Sequence, residues 1–255
     1  GSNCRSTQSV AQFSGSFAKN GVVSFFGRAN YTLDDRYLLG LSFRSDGASV
    51  FGPNNRYGFF PGGSLAWVAS RERFLASSKT VSLLKIRTSL GRTGNQGLGD
   101  YPYQGLYCTS NYGNEPGYYP CTLGNPNLRW EKATQLDLGA DLELWNGRLA
   151  FTVDWYRKNT SDLLLSRPTA PSTGFTSFTD NIGAMSNKCL ELSVTAVPIQ
   201  PSRADGFRLV TTLNISTNRN RVTKLYQNQP LLVGQYDINN IEGGKRLGAF
   251  YTYKF

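Results

Sequence analysis

The strongest constraint on this chain is an alternation of apolar and polar side chains with a period of two. Leu136, Leu138, Ala140, Leu142 and Leu144 share one parity, and Gln135, Asp137, Gly139, Asp141 and Glu143 share the other. Successive side chains of a strand point to opposite faces, so this segment reads as a strand with one apolar and one acidic side. Asn146 and Gly147 come next. That pair tolerates positive φ at both central positions of a type I′ turn, which predicts a tight hairpin. Its second strand sets Leu149, Phe151, Val153 and Trp155 against Ala150, Thr152, Asp154 and Tyr156.

The pattern recurs at residues 25–31, 37–44, 59–69, 83–91, 190–197 and 207–215, giving about eight strands in all. Leu84, Ile86 and Leu90 oppose Lys85, Arg87 and Ser89, while Leu190, Leu192 and Val194 oppose Glu191, Ser193 and Thr195. Charge keeps to one face. The residues expected together on the polar side are therefore Lys85, Arg87, Asp137, Asp141, Glu143, Asp154 and Glu191.

A one-sided apolar sheet can be half of a soluble sandwich or the wall of a membrane barrel. No run approaches the roughly 20 apolar residues of a membrane-spanning helix, which excludes a helical membrane protein. Barrel strands need only about 9–11 residues, with every second side chain free to be polar. The connections add a second signal. Links are short near 33–36, at 146–147 and near 198–206, middling at 70–80, and long at 45–58, 92–128 and 166–178. Short turns on one side and long loops on the other are the pattern of outer-membrane barrels, whose long loops face the exterior. Composition agrees: 27 Gly, 14 Tyr, 15 Phe and 4 Trp stand against a single Met, a profile rich in strands and turns. Phe59, Phe60, Trp130, Trp145, Trp155 and Tyr156 gather near strand ends. They fit either the aromatic girdles of a barrel or ordinary core packing.

The net charge of +10 comes from basic residues scattered singly along the chain. Nucleic-acid binders cluster theirs, so a polar lumen or anionic lipid head groups suit this distribution better. Of Cys4, Cys108, Cys121 and Cys189, only Cys108 and Cys121 lie close, bracketing a polar, Gly- and Pro-containing segment. They are the candidate disulfide, which implies an oxidising compartment. A zinc pair is the rival, and it is poor without CxxC spacing or histidine.

The chain has no histidine, which removes the Ser-His-Asp triad, the Cys-His pair and nearly all catalytic zinc sites. Asp137 with Asp141, and Asp141 with Glu143, are spaced along one strand face, which suits partners for Lys85 or Arg87 better than a glycosidase pair. The glycine-rich runs near 44–55 and 92–100 lack the Gly-Lys-Ser/Thr ending of a phosphate-binding loop. They read as surface loops. No catalytic residue, metal site or cofactor is expected, and no ligand-binding residue is named.

Four longer stretches then carry a resemblance. YLLGLSFRSDGASVFGPNNRYGFFPGGSLAWVAS (37–70), LLKIRTSLGRTGNQ (83–96), NPNLRWEKATQLDLGADLELWNGRLAFTVDWYRKNTSDLLL (125–165) and NIGAMSNKCLELSV (181–194) resemble, in order, the barrel of SusC/RagA-type TonB-linked outer-membrane proteins. LGAFYTYKF (247–255) is similar to a further element and suggests that the chain stops before the barrel is complete. That family has glycine where Cys189 stands, leaving either a stiffer backbone or a thiol facing the lumen.

The resemblance implies an all-β fold of antiparallel up-and-down strands forming part of a large transmembrane barrel. Residues 1–20 would be a polar segment and 21–255 partial barrel wall, with the plug domain absent. It further implies import of glycans or other large nutrients such as oligopeptides across the outer membrane of a Gram-negative bacterium of the Bacteroidetes. The implied partners are a SusD-like surface lipoprotein, outer-membrane lipid, and the TonB complex through parts this chain lacks. A soluble, non-catalytic carbohydrate-binding β-sheet module is the alternative. The apolar faces of eight strands would leave such a module an exposed patch far beyond the few hundred Å² usual for soluble monomers.

Overall fold

A computed structural model describes residues 19–99, 102–112, 115–200, 206–228, 230–233, 239–247 and 249–250. Most of the polar N-terminal segment, including Cys4, part of the link at 198–206, and most of the run at 247–255 lie outside the described residues.

Eight antiparallel strands form one sheet. In chain order β1 (Val22–Leu33), β2 (Tyr37–Ala48), β3 (Tyr57–Val68) and β4 (Val81–Asn95) come first. Two short strands, β5 (Tyr107–Tyr112) and β6 (Glu115–Pro120), pair only with each other. The main sheet resumes with β7 (Glu131–Leu144), β8 (Leu149–Pro168), β9 (Ser177–Ile199) and β10 (Leu209–Lys224), in the order β1-β2-β3-β4-β7-β8-β9-β10. Three short pieces, β11 (Leu231–Val233), β12 (Asn239–Ile241) and β13 (Ala249–Phe250), make a separate small sheet. Sequence neighbours pair throughout the main sheet, which is an up-and-down meander, and the eight alternating segments each became one of its strands.

The turns follow their residues. Leu144 pairs with Leu149, and the Arg148 amide donates to the Trp145 carbonyl at 3.3 Å. Asn146 (φ 55°) and Gly147 (φ 80°) occupy the two central positions, both left-handed as the sequence requires. The link between β1 and β2 closes in the same way. Asp34 (φ 50°) and Asp35 (φ 52°) sit beneath a 3.0 Å bond from the Arg36 amide to the Leu33 carbonyl.

The strands run further than the alternation does. β8 and β9 extend to Pro168 and from Ser177, so the loop expected at 166–178 shrinks to residues 169–176. Beyond Trp155 the former apolar parity of β8 continues as Arg157, Asn159 and Ser161. Both faces are then polar, and periodicity no longer marks a strand that backbone pairing still holds.

The hydrophobic core cluster of the described residues lies at the long-loop end, while Val68, Ala69 and Val197 are buried at the short-link end. Ala48, Val50, Phe51, Phe60, Leu128 and Trp130 form one cluster, in which Phe51 and Leu128 are fully buried. The Trp130 ring lies 5.1 Å from that of Phe51, tilted by 43°, and meets Phe60 edge-on at 5.4 Å, while its Nε1 donates to the Arg56 carbonyl at 3.0 Å. Phe60 and Trp130 are therefore core residues and not members of a girdle. Phe59 and Trp145, by contrast, are exposed.

Candidate lumen face and apolar belt

Directly paired residues share a face, so the register decides what each side of the sheet carries. Arg87 lies opposite Gly139, Gly139 opposite Asp154, and Asp154 opposite Glu191. Lys85 lies opposite Asp141. Asp137 and Glu143 share the parity of Gly139 and Asp141. All seven charged residues singled out from the sequence thus stand on one face.

Arg87 is the hub of that face. Its Nε and Nη2 donate to the two oxygens of Asp141 at 3.0 and 3.2 Å, and Nη2 also reaches Asp154 at 2.9 Å. The Thr152 hydroxyl supports Asp141 at 3.2 Å. Asp154 is two strands away from Arg87, so the guanidinium must cross β7, and it does so over Gly139. A Cβ built on Gly139 would lie 2.5 Å from an Asp154 oxygen and 2.8 Å from the Arg87 guanidinium carbon. The glycine leaves room for the arginine to pass. The alternation exposed the parity of this face but gave no sign of the crossing, which depends on strand order.

The remaining members behave differently. Asp137 accepts from Ser89 at 2.9 Å and Gln135 at 2.7 Å, and so is held by neutral donors. Lys85 makes no ion pair among the described residues, so Arg87 alone takes the role expected of Lys85 or Arg87. Cys189 is buried opposite Tyr156 and donates to Glu191 at 3.5 Å. Its thiol lies on the polar face. A cleft of about 380 Å³ runs over this face between Arg28, Ser64, Lys85, Arg87 and Asp137.

The opposite face is a belt of exposed apolar side chains. It includes Phe25, Leu41, Leu65, Ile86, Leu138, Leu190 and Ile215, with Leu138 47 % and Leu190 48 % exposed. At its short-link edge Tyr37 pairs with Trp67, and one carboxylate gathers both polar tips. Glu72 accepts from the Tyr37 hydroxyl at 2.7 Å, Trp67 Nε1 at 3.2 Å and Arg36 at 3.3 Å. These bonds, the tyrosine's first, hold the Glu72 carboxyl below its ordinary range. Tyr37 and Trp67, which the sequence reading passed over, are placed as a girdle pair.

The belt drifts across the ladder. One row joins Leu41, Gly63, Leu90, Leu136 and Arg157 on successive strands from β2 to β8. On β2 the apolar run extends two residues past that row, to Phe43, while on β8 it stops two residues short, at Trp155. Four residues over four strand steps is one residue per strand. An advance of about 3.3 Å for every 4.8 Å of sheet corresponds to strands tilted by about 35° to the belt. A level belt crossing tilted strands is the geometry of a barrel wall in a membrane.

At the long-loop end, Cys108 and Cys121 form the disulfide, which ties β5 to the residue after β6. Arg129 bonds Asp162 at 2.7 Å and Arg167 bonds Asp180 at 3.1 Å, bracing the loops around β7, β8 and β9. No group of three or more His, Cys, Asp or Glu side chains is placed to hold a metal among the described residues.

A meander with one polar and one apolar exposed face, short turns at one end and braced loops at the other, defines a section of a transmembrane β-barrel wall. Residues 3–253 match the family described as TonB dependent receptor-like, beta-barrel, and the chain belongs to that family. TonB-dependent receptor P39 of Formosa agariphila is 39 % identical over 232 residues, covering 91 % of this chain and 22 % of the relative. TonB-dependent receptor SusC of Bacteroides thetaiotaomicron is 39 % identical over 216 residues, covering 81 % and 21 % respectively. Among solved structures, the RagAB peptide transporter superposes with a TM-score of 0.84 at 31 % identity, over 91 % of this chain and 25 % of that one. The chain thus spans about a quarter or less of the length of these relatives. Its sheet is part of a larger transmembrane barrel.

Proposed function

We propose that this chain supplies wall and extracellular loops to an outer-membrane importer that takes up glycans or oligopeptides in a bacterium of the Bacteroidetes. The observation that carries the reading is the two-faced sheet. Its apolar belt is exposed and level across tilted strands, while its other face bears Arg87 bound to Asp141 and Asp154. In a barrel the apolar face meets lipid and the polar face lines the lumen. Lys85, Arg87, Asp137, Asp141, Glu143, Asp154 and Glu191 are then lumen residues. Asp141 and Asp154 fix Arg87 along the wall, and Lys85 remains an accessible positive charge beside the path.

The edges β1 and β10 are completed by the remaining strands of the barrel, because unpaired backbone groups cannot face hydrocarbon. A SusD-like surface lipoprotein would close over the long loops, and TonB would act through parts of the protein beyond this wall. The role is transport and not catalysis. Family membership and the exposed apolar belt both favour this reading over a soluble carbohydrate-binding module.

Two measurements on the full-length protein test it. With Cys4 and Cys189 changed to serine, a water-soluble maleimide applied to permeabilised outer membranes is expected to label Ser193→Cys and to spare Leu138→Cys. The reverse pattern would overturn the orientation. Uptake of fluorescent oligosaccharides or oligopeptides should depend on both the transporter and TonB, and uptake indifferent to both would overturn the import role.

A further inference from the structure

We propose that Arg157, Lys188 and Arg219 form a site on the outside of the barrel for the phosphorylated head group of an outer-leaflet lipid. The three residues stand in one row on adjacent strands: Arg157 pairs with Lys188, and Lys188 with Arg219. The row continues through Leu136 and Leu90, which places the three side chains on the apolar face. All three are exposed. This site rests on the orientation proposed above, in which the apolar face meets lipid.

The arrangement favours an anion. Like charges directly opposite each other in a sheet repel, and here three follow in succession. The row on the short-link side holds Leu138, Trp155, Leu190 and Thr217, and the row on the long-loop side holds Thr134, Asn159, Ser186 and Arg221. Neither contains a carboxylate. The eight ion pairs among the described residues include none of the three cations, and Arg157 donates only to Asn159, at 3.3 Å. Elsewhere in the sheet, the lumen cation Arg87 has two carboxylates within 3.0 Å.

Position identifies the occupant. The three cations lie beyond the apolar belt on the side of the long loops, one outward position past Trp155 on β8 and Leu190 on β9, and two past Ile215 on β10, where Thr217 intervenes. Long loops face the exterior, so this height is that of the outer-leaflet head groups. A ligand suited to the site has acyl chains to lie along Leu190, Leu192 and Val153 and a phosphate to sit among three cations. Arginine presents a planar fork that matches phosphate oxygens, and lysine adds a point charge. A phosphorylated lipid meets both demands, whereas free phosphate meets one.

The test uses the full-length transporter in neutral detergent, titrated with phosphorylated lipid A and read by native mass spectrometry. Each basic residue near an anionic membrane contributes roughly fivefold to binding, so Arg157→Gln, Lys188→Gln and Arg219→Gln together should weaken it on the order of a hundredfold. Lipid A stripped of its phosphates should bind the wild type no better than the triple variant does. Heat-modifiable mobility shows that the variant barrel has closed. Should it fail to close, Lys188→Gln alone carries the same comparison, with a loss of roughly fivefold.

Unchanged affinity in the variants, or equal binding of the phosphate-free lipid, overturns the site. Displacement of the lipid by millimolar inorganic phosphate overturns the lipid as occupant. Loss of a co-purifying protein with lipid binding unchanged makes the row a protein contact instead. Failure of the orientation is separate, because it appears as aqueous labelling of Leu138→Cys.

Discussion

The two ends of the sheet are built on different principles. At the short-link end the chain reverses through two left-handed turns, and backbone bonds do most of the holding. Arg36 accepts from the Val68 amide at 2.7 Å, and Thr80 from the Trp145 amide at 2.8 Å. One carboxylate, Glu72, completes the arrangement. At the long-loop end the connections are too long to be fixed by turn geometry, and they carry a core of their own in Phe51, Phe60, Leu128 and Trp130. Position at one end is set by dihedral angles, and at the other by packing.

The sharpest way to break that contrast is Trp130→Ala. It removes the ring that holds Phe51 and Phe60, and buried Trp-to-Ala changes cost about 3–5 kcal/mol. Hydrogen exchange in residues 49–56 of the full-length protein should rise strongly, with residues 33–37 and 145–148 unaffected. Replacing Cys108 and Cys121 together by serine should be next. A bridge closing a loop of about 15 residues is worth about 3 kcal/mol. Limited proteolysis should then cut between residues 96 and 124 while the main sheet stays intact.

Between the ends, Gly139→Val puts a side chain where Arg87 crosses to Asp154. Overpacking of this kind costs about 1–3 kcal/mol, to be read as a lower temperature for loss of heat-modifiable mobility, with exchange at both ends unchanged. The smallest effect belongs to Glu72. Its carboxyl titrates lower in the folded protein than in the unfolded chain. Its contribution is therefore complete above the ordinary glutamate range, near about 4.3, and is lost as pH falls through the lowered native value. Acidification should loosen exchange around Arg36 and Trp67 in the wild type, and Glu72→Gln should abolish that pH dependence.

The strand centres were legible in the sequence because lipid on one side and water on the other impose a strict parity. Where β8 and β9 leave the apolar belt, no hydrocarbon imposes a one-sided pattern, and parity ceases to report a ladder that continues to Pro168 and Ser177. The hairpin of β5 and β6 escaped notice for a related reason: Tyr107, Tyr118 and Tyr119 are exposed and follow no buried face. Its disulfide was visible because Cys108 and Cys121 bracket it. The shared face of the seven charged residues followed from odd and even numbering within strands. That Asp154 would join Asp141 on Arg87 required knowing that β8 lies beside β7 and that Gly139 leaves space between them.

The one-residue drift of the apolar belt from strand to strand also bears on a dimension of the whole barrel. When a tilted sheet closes on itself, the offset accumulated around the circuit must match the number of strands, and the two together fix the radius. Carried through about 22 strands, the number found in plugged outer-membrane transporters, an offset of one residue per strand accumulates to about 22 residues. Once the number of strands is given, the slope at which greasy side chains cross these eight strands fixes the girth of the complete barrel.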